Sequence, residues 1–318
     1  MLSWSESSNR NWREVLRTLD YKLLHALDVI VAQQSFDKAA ELLNISQSAI
    51  SQRIKLLEQN IAQPVLIRSQ PLKTTEIGQK LLRHFRQVRQ LEFDLVKDIL
   101  PDEQESVLAV SIAINADTLA NWFIPALAPL LKRHPIELDL QVVDETNTQE
   151  LLKRGEVFAA LSTQKESFTG CKVVSIGVVE YFLCASPDFE KQYFSKGITQ
   201  ASLQKAPGVE FDQRDTMHSD FIEQNFGVKS GSYPCHRLRS SEAFVDMALE
   251  GVAYCLLPEF QAAPYLATGK LIELAPDKHL PRVLYWHSWI LEKGLHKQIS
   301  IAVIEYGQKL LSKPKLTN

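Results

Sequence analysis

The stretch Ser35–Thr75, SFDKAAELLNISQSAISQRIKLLEQNIAQPVLIRSQPLKTT, decides the fold of the first part of this chain. Ser35 is placed to cap a short helix over Asp37 to Leu43, because its side-chain oxygen can accept one of the N–H groups left unpaired at a helix start. Ala39, Ala40 and Leu43 then share one face. Asn44 and Ile45 predict a tight turn, and Ser46 caps a second helix running to about Asn60. On that helix Ala49, Ile50, Ile54 and Leu57 form an apolar stripe. Gln47, Ser48, Ser51, Gln52 and Lys55 fall mostly on the other side. Small apolar residues inside and short hydrogen-bonding side chains outside suit a helix that lies in a major groove and presents amides to base edges. An ordinary helical pair with a polar surface has the same pattern, so the flanking segments must decide.

Upstream, Leu23, Leu24, Leu27, Ile30 and Val31 repeat at helical spacing and end before Gln33. Three short helices can share a core that none of them makes alone. Downstream, Val65, Leu66 and Ile67 read as a short strand, punctuated by Pro64 and Pro71. Arg68 and Lys73 bracket a small loop. That is the arrangement of a winged helix-turn-helix, in which a basic wing reaches phosphates or the minor groove. Gln47, Ser48, Ser51 and Gln52 are therefore assigned to base edges, and Arg53, Lys55, Arg68 and Lys73 to phosphates; Ser46 and Thr75 complete the candidate DNA-binding set.

Thr75 and Glu76 open a long helix reaching about Ile99. Leu81, Phe85, Val88, Leu91 and Leu95 recur at three- and four-residue steps. An apolar seam of this length needs a partner, and the reading is a dimerisation linker. It ends at the polar segment PDEQES, 101–106.

From Val107 the pattern changes. Strand-like runs at VLAVSIAI, 136–144, 157–161, 173–186, 208–212, 252–258 and 282–289 alternate with helical segments. Those include Thr118 to Lys132, with Pro125 and Pro129 imposing irregularity, and Ser241 to Glu250. Alternation at this interval predicts a parallel α/β sheet. In such sheets ligands bind beyond the carboxyl ends of the strands. Those positions offer Asn115, Asp117 and Thr118, then Asp144 and Glu145, then Ser162, Asp212 and Ser241. Helix N-termini there attract a ligand carboxylate and the acids attract a cation, so a basic amino acid satisfies both. Ser162 is assigned to the carboxylate and Asp117, Asp144 or Asp212 to the side-chain cation.

Composition sets bounds. With 318 residues, 45% hydrophobic and 23% charged, the chain is of ordinary globular type. Net charge is −3, yet residues 1–100 carry 14 basic against 11 acidic side chains and the rest 21 against 27. No run approaches the ~20 apolar residues of a membrane span, and MLSWSESSNRNWREV lacks a signal-peptide core. A cytoplasmic protein is expected, with no membrane partner. Cys171, Cys184, Cys235 and Cys255 show no CxxC spacing and read as buried free thiols. No metal or cofactor site is suggested. No phosphate loop, HExxH or GxSxG marks an enzyme, and His287 in YWHSW reads as aromatic packing.

The run SFDKAAELLNISQSAISQRIKLLE resembles the signature of the LysR-type transcriptional regulators, seen here at Ala39–Leu42, Ser46–Ser51 and Ile54–Glu58, with the wing continuing to Arg68, Thr75 and Gly78. Two positions depart from it: Ala62 stands where the family often has Gly, and Leu66 where it often has Phe. The resemblance implies a winged helix-turn-helix over residues 18–75, a linker helix over 76–100 and a two-lobed α/β effector domain of periplasmic-binding-protein type over 101–318, after a flexible extension, 1–17. It also implies promoter DNA as partner, RNA polymerase as a further one, and homodimers that pair into homotetramers. Six further segments, TLDYKLLHALDVI (18–30), RSQPLKTTEIGQKLL (68–82), NADTLANWFIPALAPLL (115–131), DETNTQELLKRGEV (144–157), SSEAFVDMA (240–248) and LYWH (284–287), resemble the branch of that family responsive to lysine and arginine. That closer resemblance implies lysine or arginine as effector and a basic-amino-acid exporter gene as target. The alternatives are a LysR-type regulator with another effector, a nucleoid or replication-origin binding protein, a solute-binding protein, and an enzyme using Asp144 and Glu145. The two connections between lobes are expected near residues 185–190 and 258–268.

Overall fold

A computed structural model describes residues 19–99, 107–143, 148–213 and 215–312. The extension 1–17, the boundary segment 101–106 and the candidates Asp144 and Glu145 lie outside the described residues. The chain divides into two compact units, the first built on residues 1–102 and the second on most of 103–318.

In the first unit, α1 (Tyr21–Gln33) starts on Asp20, which accepts the Lys22 N–H at 2.8 Å. Ser35 caps α2 (Phe36–Leu42) through the Lys38 N–H. The turn follows at Asn44, with φ 52°. Ser46 caps α3 (Gln47–Ile61) through the Ala49 N–H at 3.1 Å. Leu23, Leu24, Leu27 and Ile30 of α1 bury against Ala39, Ala40, Ile50, Ile54 and Leu57. Each large aliphatic side chain buried there contributes about 1.5–3 kcal/mol. Helix α3 ends on Ala62 in the left-handed region, φ 59°, a conformation glycine adopts without steric cost.

The wing is a two-strand antiparallel pair, β1 (Leu66–Ile67) with β2 (Lys73–Thr74). Thr75 joins it to α4 (Glu76–Ile99): its hydroxyl donates to the Pro64 carbonyl at 2.8 Å and accepts the Gly78 N–H at 3.1 Å. A Cβ on Gly78 would stand 2.2 Å from the Val65 carbonyl oxygen, so this turn needs glycine. Leu82 and Phe85 of α4 are buried in the same core, with Leu81 packed against it. The seam read from the sequence is thus divided. Its first part packs within its own chain; of the remaining positions, Val88 and Leu91 are half-buried and Leu95 is exposed, on an outer face.

The second unit carries a seven-stranded mixed sheet. Strand β3 (Leu108–Ile114) lies parallel to both β4 (Ile136–Val142) and β5 (Ala159–Ser162). The sequence alternation predicts parallel pairing throughout, but β6 (Cys171–Ala185) and β11 (Leu280–Trp289) run antiparallel to their neighbours. Their length explains it: the first part of β6 pairs with β11 beside β5, and its last part pairs with β9 (Cys255–Pro258) and β10 (Ile272–Glu273). These two strands connect the halves of the unit, so the crossings lie on 171–185 and 280–289 and not near 185–190 and 258–268. A separate parallel pair, β7 (Gly208–Glu210) with β8 (Cys235–Arg237), completes the second half. The polar CHR of β8 has no alternation by which the sequence would reveal it.

Helical segments flank this sheet. Residues Ala116–Thr118 form α5, a π-helical stretch covers Leu119–Phe123, and α6 spans Ile124–Leu131, with Pro125 in its first turn. The expected irregularity is therefore a π register immediately ahead of a residue that cannot donate. Further on come α7 (Thr148–Lys153), α8 (Pro187–Tyr193), α9 (Gln200–Leu203), α10 (Met217–Phe226), α11 (Ser241–Leu249), α12 (Glu259–Ala267) and α13 (Gly294–Leu310). Ser240 caps α11: it holds the extended backbone a cap requires and accepts the Ala243 N–H. His287 is buried, with Nε2 2.8 Å from the Gln164 carbonyl oxygen. All four thiols are free; Cys171, Cys184 and Cys255 are buried and Cys235 is half-buried. Burial pushes the thiols of Cys171 and Cys184 up to about 11 and 12.

Candidate functional site

Two surfaces carry chemistry, one in each unit. The first is the outer face of α3 with the wing. Gln47, Ser48, Gln52 and Lys55 are exposed, Ser51 and Arg53 half-exposed. The apolar stripe turns inward through Ile50, Ile54 and Leu57 and leaves that row outside. Arg68 and Lys73 stand exposed at the two ends of the wing loop. A groove of about 540 Å³ runs between α3 and the wing loop, walled by Gln47 and Ser51 of α3, by Gln34 to Asp37 and by Arg68 to Leu72. The Arg68 guanidinium lies over the Phe36 ring, 5.8 Å from its centroid, a geometry that holds a cation in place without neutralising it. Ser46 and Thr75 are engaged in capping and in tying the wing to α4.

The second surface is a cleft in the other unit, with a cavity of about 60 Å³. Its wall contains Asn115, Asp117 and Ser241 from the sequence candidates, with Ala116, Val143, Tyr181, Phe211, Asp215, Met217 and Phe244. Asn115 caps α5, its Oδ1 accepting the Thr118 N–H at 3.3 Å. Asp117 follows in that first turn, and each of its carboxylate oxygens accepts a hydroxyl. Tyr181, midway along β6, donates to Oδ2 at 2.6 Å, and Ser241, opening α11, donates to Oδ1 at 2.5 Å. The Ser241 oxygen is also 3.0 Å from Gln261 Oε1. Burial raises the Asp117 pKa above the usual carboxylate value; the two hydroxyl donors oppose that, and the neighbouring charge of Glu242 adds to it. A carboxyl so placed gains from any cation that enters.

Asp215 is held by backbone amides, accepting from Phe211 at 2.9 Å and Met217 at 3.0 Å. Val143, Phe211, Met217 and Phe244 give the cavity apolar sides. Thr118, Ser162 and Asp212 are not in this wall: Thr118 is buried, Ser162 is buried with its hydroxyl accepting the Gln164 N–H, and Asp212 pairs with Arg239 at 3.1 Å. Strand-end reasoning points to the loop after β7 but selects Asp212 in it. The signal for Asp215 is its place just ahead of α10, where a carboxylate accepts helix-start N–H groups. Tyr181 has no such signal, because it sits inside a strand. Among the described residues no three His, Cys, Asp or Glu come together as a metal site, and no helix is long and apolar enough to cross a membrane.

Residues 21–79 match the family model for the bacterial regulatory helix-turn-helix protein, lysR family, and residues 104–289 match that for the LysR substrate binding domain. The chain belongs to the LysR family of transcriptional regulators, which bind DNA and are not catalysts. Within that family it is similar to HTH-type transcriptional regulator ArgP of Aeromonas salmonicida, at 55% identity over 93% of this chain and 99% of the relative. The ArgP of Photobacterium profundum is 48% identical over the same shares. Among solved structures, ArgP from Mycobacterium tuberculosis superposes with a TM-score of 0.83 at 31% identity, covering 94% of this chain and all of that one. Full-length LysG from Corynebacterium glutamicum with bound effector Arg gives 0.77 at 29% identity, covering 93% of this chain and all of that one.

Proposed function

We propose that this regulator senses a basic amino acid, lysine or arginine, in the cleft around Asp117 and controls genes such as one for a basic-amino-acid exporter. The observation that carries the reading is the Asp117 carboxyl, held by Tyr181 and Ser241 in the wall of a cavity with apolar sides. Such a group binds a cation far better than a neutral chain. The similarity to ArgP regulators and to a LysG structure that holds arginine supports the same ligand class.

On the DNA side, Gln47, Ser48, Ser51 and Gln52 read base edges, while Arg53, Lys55, Arg68 and Lys73 meet phosphates. The outer face Val88, Leu91 and Leu95 pairs linker helices of two subunits, and two dimers form a tetramer on promoter DNA, where RNA polymerase is the further partner. A ligand alters DNA occupancy only through different affinities for two assembled states.

Calorimetry on the full chain with lysine, arginine and norleucine tests the reading, together with promoter mobility shifts under the same ligands. Binding of the two basic amino acids with little binding of norleucine is expected. Folded, ligand-free protein that gives no heat with either basic amino acid would leave a LysR regulator of some other effector. Genome-wide footprinting that finds no discrete promoters would favour the nucleoid reading.

A further inference from the structure

The hydroxyl of Ser241 has one hydrogen and stands before two acceptors, Asp117 Oδ1 at 2.5 Å and Gln261 Oε1 at 3.0 Å. The three residues come from different places. Asp117 belongs to α5 in the first half of the unit, while Ser241 and Gln261 belong to α11 and α12 in the second. The Ser241–Asp117 bond therefore ties the two halves across the cleft. Ser241 is 3% exposed, so its hydroxyl needs a protein partner in every state.

We infer that this hydroxyl is a transferable latch: it donates to Asp117 when the cleft is empty and turns to Gln261 when a ligand cation takes Asp117. The inference rests on the reading of the cleft as a basic-amino-acid site. A cation arriving at Oδ1 replaces Ser241 as donor, and Tyr181 keeps its place on Oδ2. Rotation about the Cβ–Oγ bond is enough to re-aim the hydroxyl, with no movement of the backbone. Without Gln261 the displaced hydroxyl would be buried and unpaired, and ligand binding would bear that penalty. Gln261 is not in the cavity wall. It is a positioning residue that tunes affinity through Ser241. Binding also releases one bond that holds the halves together, which makes the ligand-bound unit a different state for the DNA-binding assembly to follow.

The two partners have opposite expected effects. Ser241→Ala removes the charge-assisted bond to Asp117 from the ligand-free cleft and the weaker bond to Gln261 from the liganded one; the first loss is the larger, so lysine and arginine should bind about three- to tenfold more tightly. Helix α11 keeps its cap, because that cap is Ser240. Gln261→Met preserves side-chain length and removes the second acceptor, so affinity should fall roughly tenfold. In the Ser241→Ala background, Gln261→Met should change nothing further. Calorimetry on the full chain for the unaltered protein, both single variants and the double variant reads all four. Unchanged affinity in Gln261→Met, an equal loss from it in both backgrounds, or weaker binding by Ser241→Ala would each overturn the latch. Unaltered protein that binds neither amino acid, or that binds them equally after Asp117→Asn, would remove the underlying cleft reading instead and the latch with it.

Discussion

The rings of Phe85, in the core of the helix-turn-helix unit, and half-buried His25 stack with centroids 5.9 Å apart. Tyr21 adds a second ring at 6.1 Å from Phe85, and Arg86 of the same helix reaches Asp28 at 2.7 Å. The start of the linker helix is thus part of the head, and a substitution there reports on folding before it reports on assembly. Phe85→Asp should destabilise the head by several kcal/mol, since it leaves a charge in an apolar site. Leu95→Asp lies on the outer face, 53% exposed. It should leave the head's melting temperature nearly unchanged and reduce the sedimenting mass. A Leu95→Asp protein with the parent mass and DNA affinity would show that the outer face does not join subunits.

A gain in stability is expected at Ala62. Its φ of 59° puts a Cβ where the left-handed region costs an L residue about 1–2 kcal/mol. The residue is exposed, so no packing depends on that Cβ. Ala62→Gly should stabilise the head by roughly 0.5–1 kcal/mol after the larger chain entropy of glycine in the unfolded state is subtracted. Urea denaturation of the head transition measures it, and a loss of stability would contradict the backbone argument.

Gly78 should tolerate no such exchange. Its missing Cβ is the space occupied by the Val65 carbonyl, which adjoins the Thr75 tie between wing and helix. Gly78→Ala should displace the wing and lower affinity for specific and random DNA together. Normal DNA affinity in that variant would mean that the wing shifts without consequence.

Lys73→Ala and Gln52→Ala should separate charge from reading. Lys73 is exposed on the wing, and its loss should weaken specific and random DNA about equally and reduce the salt slope by about one ion. Gln52 is exposed on α3 and should alter sequence preference instead, by about 1–3 kcal/mol at the affected base pair. A uniform loss from Gln52→Ala would contradict its assignment.

The head was legible because local signals agree there. Ser35 and Ser46 cap, Asn44 turns, and the stripe Ile50, Ile54, Leu57 has one period. The seam on α4 was legible only as an apolar face, because helical spacing does not show what covers it: Leu81 and Phe85 pack against the head. Phe85 and Leu95 look alike in sequence and differ only after the head folds against one of them. In the cleft, Asn115, Asp117 and Ser241 followed from strand ends and helix starts. Tyr181 did not, because its approach depends on β6 being long enough to serve both halves of the sheet.

Proton coupling offers a test of Asp117 that does not depend on total affinity. Its folded-state pKa is raised, chiefly by burial. Between the ordinary carboxylate value of 3.8 and that raised value, the folded empty protein binds more protons than the unfolded chain. Stability from this group is therefore greatest at the acid end and falls as pH rises through the window. Ligand binding has the opposite dependence. A lysine or arginine cation needs the ionised carboxylate, so binding releases a proton inside the window, and affinity should rise with pH and then level off. The ligand's own side chain stays charged throughout, with values near 10.4 for lysine and above 12 for arginine. Calorimetry in two buffers of different ionisation heat measures the released proton directly. Asp117→Asn should abolish the release and cost roughly 2–5 kcal/mol of binding, much of it from leaving the ligand charge unpaired. Proton release that persists in Asp117→Asn would assign the cation to another carboxylate of the cleft, with Asp215 the one to substitute next.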